Sequence, residues 1–420
     1  MTEFIDNLRT GAWLTRERMR LVGSATLAAS LFGAAALIAT SDGLNDWFGR
    51  PIGTDFSSIY AAGHQVLEGH PLAAFDLAAH HAREVAIFGA ATPVYSWHYP
   101  PFYLGIGTLL ALMPYLLALS VWQGVTLALY LLVTRAVLSA HLRGPEESKT
   151  NHNLWLLLAL AFPAVFINLG HGHNGFLTAV LFAAGLLVLE RRPIVAGILF
   201  GCLVYKPQFG LLVPVVLAAS GRWRAFASAT TTVVVLVLAA TLAFGPEVWT
   251  VFLASTKFTR EVVLESNEIG WHKIQSVFSW VRMWGGDITL AYAVQGAVTV
   301  IAAASLAWLW RSRAAYPIKA AGLMIGTLLA TPYSLDYDLM LLAPAIAYLA
   351  VDGAVRGFVP WEKTILAALW ILPLVTRSVA ETTHIPLTVP TILLAFGLLL
   401  RRAMNQTGTA QASGVLQSTP

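Results

Sequence analysis

LVGSATLAASLFGAAALIAT, residues 21–40, decides the class of the fold. It is a run of 20 residues with no charged side chain, about the length a helix needs to cross the hydrocarbon of a bilayer. The run is too long for the apolar part of a secretion signal and lacks a small-residue cleavage site, so it reads as a retained anchor. Similar runs recur to the end of the chain. Of the 420 residues, 57% are hydrophobic and 11% charged, with a mean hydropathy of +0.67. No ordinary soluble domain has that balance, and the class implied is an all-α polytopic membrane protein. The net charge of +4 does not argue for nucleic acid, because the basic residues sit in short clusters between apolar runs. Cys202 is the single cysteine, which excludes an intrachain disulfide and a cysteine metal site.

Outward from this run, further apolar segments lie near 102–118, 119–140, 154–170, 175–190, 193–206, 207–220, 225–245, 287–309, 318–335, 339–351, 364–380 and 387–400. Placing both termini in the cytoplasm puts 17 Lys and Arg inside and 8 outside, with Arg135 within a segment, as the positive-inside rule asks. Parity then requires one segment in 102–140 not to span, where Pro101 and Pro114 can bend or reverse a helix. The expectation is about 12 transmembrane helices. Residues 1–20 form a cytoplasmic N-terminus, 21–402 a single transmembrane domain, and 403–420 a disordered cytoplasmic tail rich in Gly, Ser, Thr and Gln. Two long segments, 41–101 and 246–286, face outward. The first divides at Gly69-His70-Pro71 into two amphipathic helices, with apolar stripes through Ile59, Ala62 and Val66 and through Phe75, Ala79, Val85 and Phe88. Such stripes suit helices lying in the membrane interface.

Gly53-Thr54-Asp55-Phe56-Ser57-Ser58-Ile59-Tyr60 opens the first outer segment. Asp55 is a lone carboxylate just past the bilayer surface, where it can meet a lipid-linked substrate without the cost of ionising in hydrocarbon. It can equally be an N-cap for the helix that follows. With the topology above, the unusual polar motifs all fall on the same outer side. They are Trp97-His98-Tyr99-Pro100, His171-Gly172-His173-Asn174, Tyr205-Lys206-Pro207-Gln208, Arg260, Trp271-His272-Lys273 and Asp336-Tyr337-Asp338. One face holding them argues for one site there. Lys206 at membrane depth suggests an anionic partner, against snorkelling to the interface. Arg260, His272 and Lys273 are further candidates to hold a phosphate, against ordinary solvated roles. Trp97, His98, Tyr99, His173, Asn174, Gln208, Asp336 and Asp338 are candidates for contacts to sugar or acceptor. A metal at His171 and His173 is weighed and set aside, because no carboxylate or third histidine is close in sequence. Asp336 and Asp338 at i and i+2 would face apart on a helix.

These motifs, in order with Thr54-Asp55-Phe56, Tyr60-Ala61-Ala62-Gly63, Gly172-His173-Asn174-Gly175 and Thr331-Pro332-Tyr333, resemble glycosyltransferase family 87 of the GT-C superfamily over residues 20–400. The family includes polyprenol-phosphate-mannose-dependent mannosyltransferases and related arabinofuranosyltransferases. The resemblance implies a GT-C-type bundle, a catalytic Asp at position 55, and transfer of mannose or a related pentose or hexose from a polyprenyl-phosphate carrier. The acceptor would be a lipid or glycan on the extracytoplasmic face of a bacterial plasma membrane, and the anomeric centre would invert. Membrane lipids are its expected surroundings, and the residues themselves point to no nucleic acid partner, no cofactor and no metal site. His173 stands where the family has Gln, and Asp336-Tyr337-Asp338 stands where actinobacterial members carry a His. A transporter or flippase of lipid-linked sugars is the alternative from another class. It would place its polar groups near mid-helix, whereas here they gather at helix ends. A ligase for a preassembled lipid-linked glycan would use similar surfaces.

Overall fold

A computed structural model describes residues 2–141 and 147–416. Among the described residues the chain is helical throughout, and its only β pairing is two isolated bridges within residues 42–51. The helices used below are α1 (Thr2–Thr10), α2 (Arg16–Ala39), α3 (Thr54–Leu67), α4 (Leu77–Phe88), α5 (Leu104–Ala111), α6 (Tyr115–His141), α7 (Glu147–Leu160), α8 (Pro163–His171), α9 (Gly175–Val188) and α10 (Pro193–Cys202). They continue with α11 (Pro207–Gly210), α12 (Leu212–Ala219), α13 (Trp223–Phe244), α14 (Glu247–Thr259), α15 (Val277–Met283), α16 (Ile288–Arg311), α17 (Tyr316–Ala330), α18 (Leu342–Arg356), α19 (Glu362–Thr383) and α20 (Thr388–Leu416).

Among the described residues six helices are long and apolar enough to cross a membrane, or seven if α7 and α8, bent by 44°, count as one span. Length and composition therefore do not reach the expected twelve. The physical reason is proline. Among the described residues, Pro101, Pro193 and Pro207 open three of the five apolar helices of 10–17 residues and Pro317 lies in the first turn of a fourth, while Pro163 opens α8 at the bend. The break between α7 and α8 shows how such interruptions are tolerated. Pro163 has no N–H for the Ala159 carbonyl, and Tyr130 Oη donates to that oxygen at 3.2 Å. Trp370 Nε1 donates to the neighbouring Leu158 carbonyl at 3.0 Å. Freed carbonyls in an apolar surround must find such donors.

α2 is exposed along most of its length, as a peripheral anchor would be, and packs on α7. α10 and α13 approach through small residues. A Cβ on Gly197 would lie 2.4 Å from the Ala225 carbonyl oxygen, and one on Gly201 2.6 Å from Thr232 Cβ. This is the close backbone approach that small residues permit between membrane helices.

Residues 41–101 break at Gly69-His70-Pro71, where the sequence places the break. α3, however, is not half-immersed in an interface: residues 56–63 are buried on every side. Its backbone lies directly on α5, since a Cβ on Gly63 would sit 2.0 Å from the Gly107 carbonyl oxygen. α5, in the 102–140 region expected to hold a bent element, is eight residues long. Residues 246–286 pack against residues 41–101 through Phe75 and Phe252, ring centroids 5.9 Å apart. α20 continues as helix to Leu416, past Asn405, where composition predicts disorder; residues 417–420 of that tail lie outside the described residues.

Candidate active site

Glycines bring three of the motifs together. Gly53 enters α3 in the left-handed region at φ 73°, and Gly172 ends α8 at φ 60°; both conformations favour glycine. A Cβ on Gly172 would lie 2.6 Å from Phe56 Cβ and 3.3 Å from Gly53 Cα, so the Asp55 turn and the His171–Asn174 turn touch almost backbone to backbone. Gly175 meets the third segment: its Cβ would lie 2.7 Å from the Tyr337 carbonyl oxygen. Thr54 Oγ1 and His171 Nδ1, 2.8 Å apart, close the first junction with a hydrogen bond.

Asp55 stands inside the first turn of α3, whose N-cap is Gly53 with no side-chain cap. The capping role open to it on sequence grounds is therefore not the one it plays. Its carboxylate makes no hydrogen bond to any described residue. The helix N-terminus favours a negative charge at this point, while burial raises the carboxyl pKa above the ordinary 3.8, opposed by the positive charges of His171 and Lys206. Asp336 and Asp338 also act on it, and raise it further. The result is a half-buried carboxylate with free lone pairs, near Lys206 and His171, neither of which bonds it.

Around it lies an aromatic wall. Tyr103 and Tyr205 stack at 5.2 Å, Tyr99 and Tyr103 lie 4.4 Å apart, and Trp97 meets Tyr99 edge-on at 5.2 Å. Asn174 Nδ2 donates to Tyr99 Oη at 2.8 Å. His173 is buried with its ring 3.6 Å from that of Tyr337. The buried atoms Trp97 Nε1, His173 Nδ1 and Asn174 Oδ1 have no partner. Unpaired buried polar atoms are costly, and these three fall on candidate sugar-binding residues. Gln208 is half-buried on the turn after Pro207, while His98 is exposed and shares a 3.0 Å hydrogen bond with Thr259.

The two aspartates do face apart. Asp338 accepts from Lys206 Nζ at 2.6 Å and from the Leu335 N–H at 3.0 Å. Asp336 turns the other way and pairs with Arg377 at 3.6 Å. Lys206 is thus neither snorkelling nor free. Its ammonium is buried, paired with a carboxylate 132 residues away, and lies 5.4 Å from the Tyr337 ring centroid.

Asp336 links this centre to a second cationic group. Lys273 is half-buried within the fields of Arg377, Asp336 and Glu381, and His272 feels Glu381, Lys273 and Arg377. His272 and Lys273 therefore belong together, as their adjacency suggests. Arg377, on α19, is the member the sequence did not single out. Arg260 joins neither group; it sits on a π-helical turn, paired with Glu265 at 3.3 Å. Among the described residues no three His, Cys, Asp or Glu side chains converge on a point that could hold a metal.

The model of glycosyltransferase family 87 matches residues 97–332, more than half of the chain, including the Trp97, His173, Lys206 and Thr331 motifs. The chain belongs to glycosyltransferase family 87. It is accordingly a membrane glycosyltransferase. Asp55, Asp336, Asp338 and Arg377 fall outside the matched stretch. No curated protein and no solved structure matches the chain.

Proposed function

We propose that this family 87 enzyme transfers a sugar, mannose or a related hexose or pentose, from a polyprenyl-phosphate carrier to a hydroxyl of a lipid or glycan acceptor, with Asp55 as general base. One observation carries the reading: Asp55 is a carboxylate without a hydrogen-bond partner, at the junction of three motif-bearing segments. A structural aspartate at such a place would be capped or paired.

In the transfer, the acceptor oxygen forms a bond to the anomeric carbon as the bond from that carbon to the phosphate oxygen breaks. The acceptor proton goes to Asp55 and the electron pair leaves with the polyprenyl phosphate. In-line attack inverts the anomeric centre. The leaving phosphate needs positive charge where its own charge develops. His272, Lys273 and Arg377 supply an accessible group for it. Lys206, already held by Asp338, acts on the Asp55 side of the site and favours the ionised base. The aromatic wall of Trp97, Tyr99, Tyr103 and Tyr205 suits stacking on a sugar ring, and His173, Asn174 and Gln208 suit its hydroxyls. Part of this reading is that the five shorter apolar helices complete a GT-C-type bundle of about twelve crossings. The site then faces the extracytoplasmic side of a bacterial plasma membrane, where nucleotide sugars are absent.

The test compares donors and sides. Sealed right-side-out vesicles carrying the enzyme should transfer sugar from an added short-chain polyprenyl-phosphate mannose or pentose, and not from the matching nucleotide sugar. Transfer from the nucleotide sugar alone would overturn the donor class. Transfer only in inverted vesicles would overturn the side.

A further inference from the structure

One turn along α3 from Asp55 begins a chain of buried polar groups that the transfer reaction does not use. Ser58, one turn after Asp55, shares a 3.0 Å hydrogen bond with His80 Nε2 on α4. His80 Nδ1 in turn bonds Gln65 Oε1 at 2.9 Å, back on α3. One turn further along α4, Glu84 is fully buried and its Oε2 accepts the Tyr95 backbone N–H at 3.2 Å. Tyr95 opens the segment that delivers Trp97 and Tyr99 to the site. α4 therefore holds both sides of the site from behind.

The remaining oxygen of Glu84 has no partner. The groups the structure sets against this carboxyl are imidazoles and phenols, with Arg50 and Asp46 of the 42–51 segment further off beside Tyr95. His80 lies at 3.9 Å and His81 at 3.4 Å on α4 itself, Tyr95 on the following segment, and Tyr115 on α6. Among the described residues no Lys or Arg pairs with it, and the neighbouring Arg83 pairs with Glu68 instead, so an ionised Glu84 would be a buried charge lacking compensation, which is strongly unfavourable.

Resting on the reading of Asp55 as the base, we infer that Glu84 and His80 form a positioning pair that sets the distance between Asp55 on α3 and Tyr99 on the segment after α4. Neither touches substrate; both act through the elements they tie. The pair works with both members uncharged. A neutral His80 donates through one ring nitrogen to Gln65 and accepts at the other from Ser58. Burial pushes its pKa down to about 4, so it keeps that form at neutral pH. Burial pushes Glu84 up to about 8. The Tyr95 N–H favours the ionised form, but burial outweighs it. An acid raised in this way contributes stability that is fully present below its unfolded pKa of 4.5 and is gone once pH has risen through the folded value, where the buried group takes its charge. The clamp should therefore loosen, and transfer should fall, as pH rises through about 8.

The experiment uses the full chain in lipid nanodiscs, with short-chain polyprenyl-phosphate mannose as the donor probe and hydrogen exchange at residues 95–99 as a second readout. Glu84→Gln keeps a neutral group of the same shape. It should preserve kcat and the protection of the Tyr95 amide, and abolish the fall above about pH 8. Glu84→Leu should expose that amide and lower kcat roughly 10- to 100-fold, as expected for a misplaced catalytic group, with donor KM unchanged. Equal loss in the Gln and Leu variants, or an alkaline limb that survives in Glu84→Gln, would overturn the inference. Hydrogen exchange needs no substrate, so protection lost in Glu84→Leu and kept in Glu84→Gln upholds the clamp even where the donor probe is not turned over. If instead Asp55→Asn transfers normally while the Glu84 results hold, it is the base assignment that fails.

Discussion

Two regions of this molecule bury charge, and they do it in opposite ways. At the bundle end formed by the C-terminal part of α18 and the start of α19, Arg402 of α20 is buried between two carboxylates. Its Nε donates to Asp352 at 2.7 Å and its guanidinium to Glu362 at 2.6 Å. Arg356 takes the second Asp352 oxygen, and the Val359 N–H donates to Glu362 at 2.8 Å. At the other end, among the described residues, Asp55 has no hydrogen bond, and Trp97 Nε1, His173 Nδ1, Asn174 Oδ1 and Ser334 Oγ are buried without partners. A closed network ties helices together; an open one costs stability and persists where a ligand completes it. Charge content alone would not have separated the two. Satisfaction does.

The largest expected effect breaks the closed side. Arg402→Met leaves Asp352 and Glu362 buried without their cation, which should cost about 3–5 kcal/mol of stability. Thermal unfolding in detergent should show a drop of that scale, while the protein that remains folded turns over normally. A loss confined to turnover would reverse the roles of the two regions.

How far each region was legible follows from this contrast. The membrane class and the gathering of motifs at one end could be read, because length without charge and the positions of polar turns are local properties. The partner of Lys206 could not, because Asp338 lies in a different apolar block. Arg377 lay hidden for a related reason: within the apolar run 364–380 a single arginine reads as one more outer-side cation, and only the fold sets it beside Asp336 and Lys273. The capping alternative for Asp55 stayed open because Asp is a common N-cap. It closed once Gly53 was seen to make the left-handed entry. The count of spans was the least legible, since proline cuts several apolar runs into helices too short to judge by length.

A smaller effect sharpens the open side. Arg377→Ala should weaken a charge-assisted contact worth about 1.5–3 kcal/mol, or roughly 10- to 150-fold in donor kcat/KM. Acceptor KM should barely move, and Arg377→Lys should restore only part of the loss, because the ammonium lacks the planar fork. Steady-state kinetics at limiting donor checks it. Unchanged donor kinetics would detach the second cationic group from the phosphate.

The smallest effect lies between the two regions. Tyr130→Phe removes the donor to the Ala159 carbonyl at the α7–α8 break, and should cost about 0.5–1.5 kcal/mol in thermal unfolding with no change in turnover.

Asp55→Asn tests the central claim most directly, by measuring sugar transfer and melting temperature on the same preparation. The substitution keeps shape and removes the base. Because burial raises the Asp55 pKa, the ionised carboxylate is a cost to the fold, and an amide should leave the melting temperature equal or higher. Transfer should fall by about 10²–10⁴-fold, the usual contribution of a positioned base. A variant that melts earlier yet transfers at the parent rate would contradict the account and make Asp55 a structural residue.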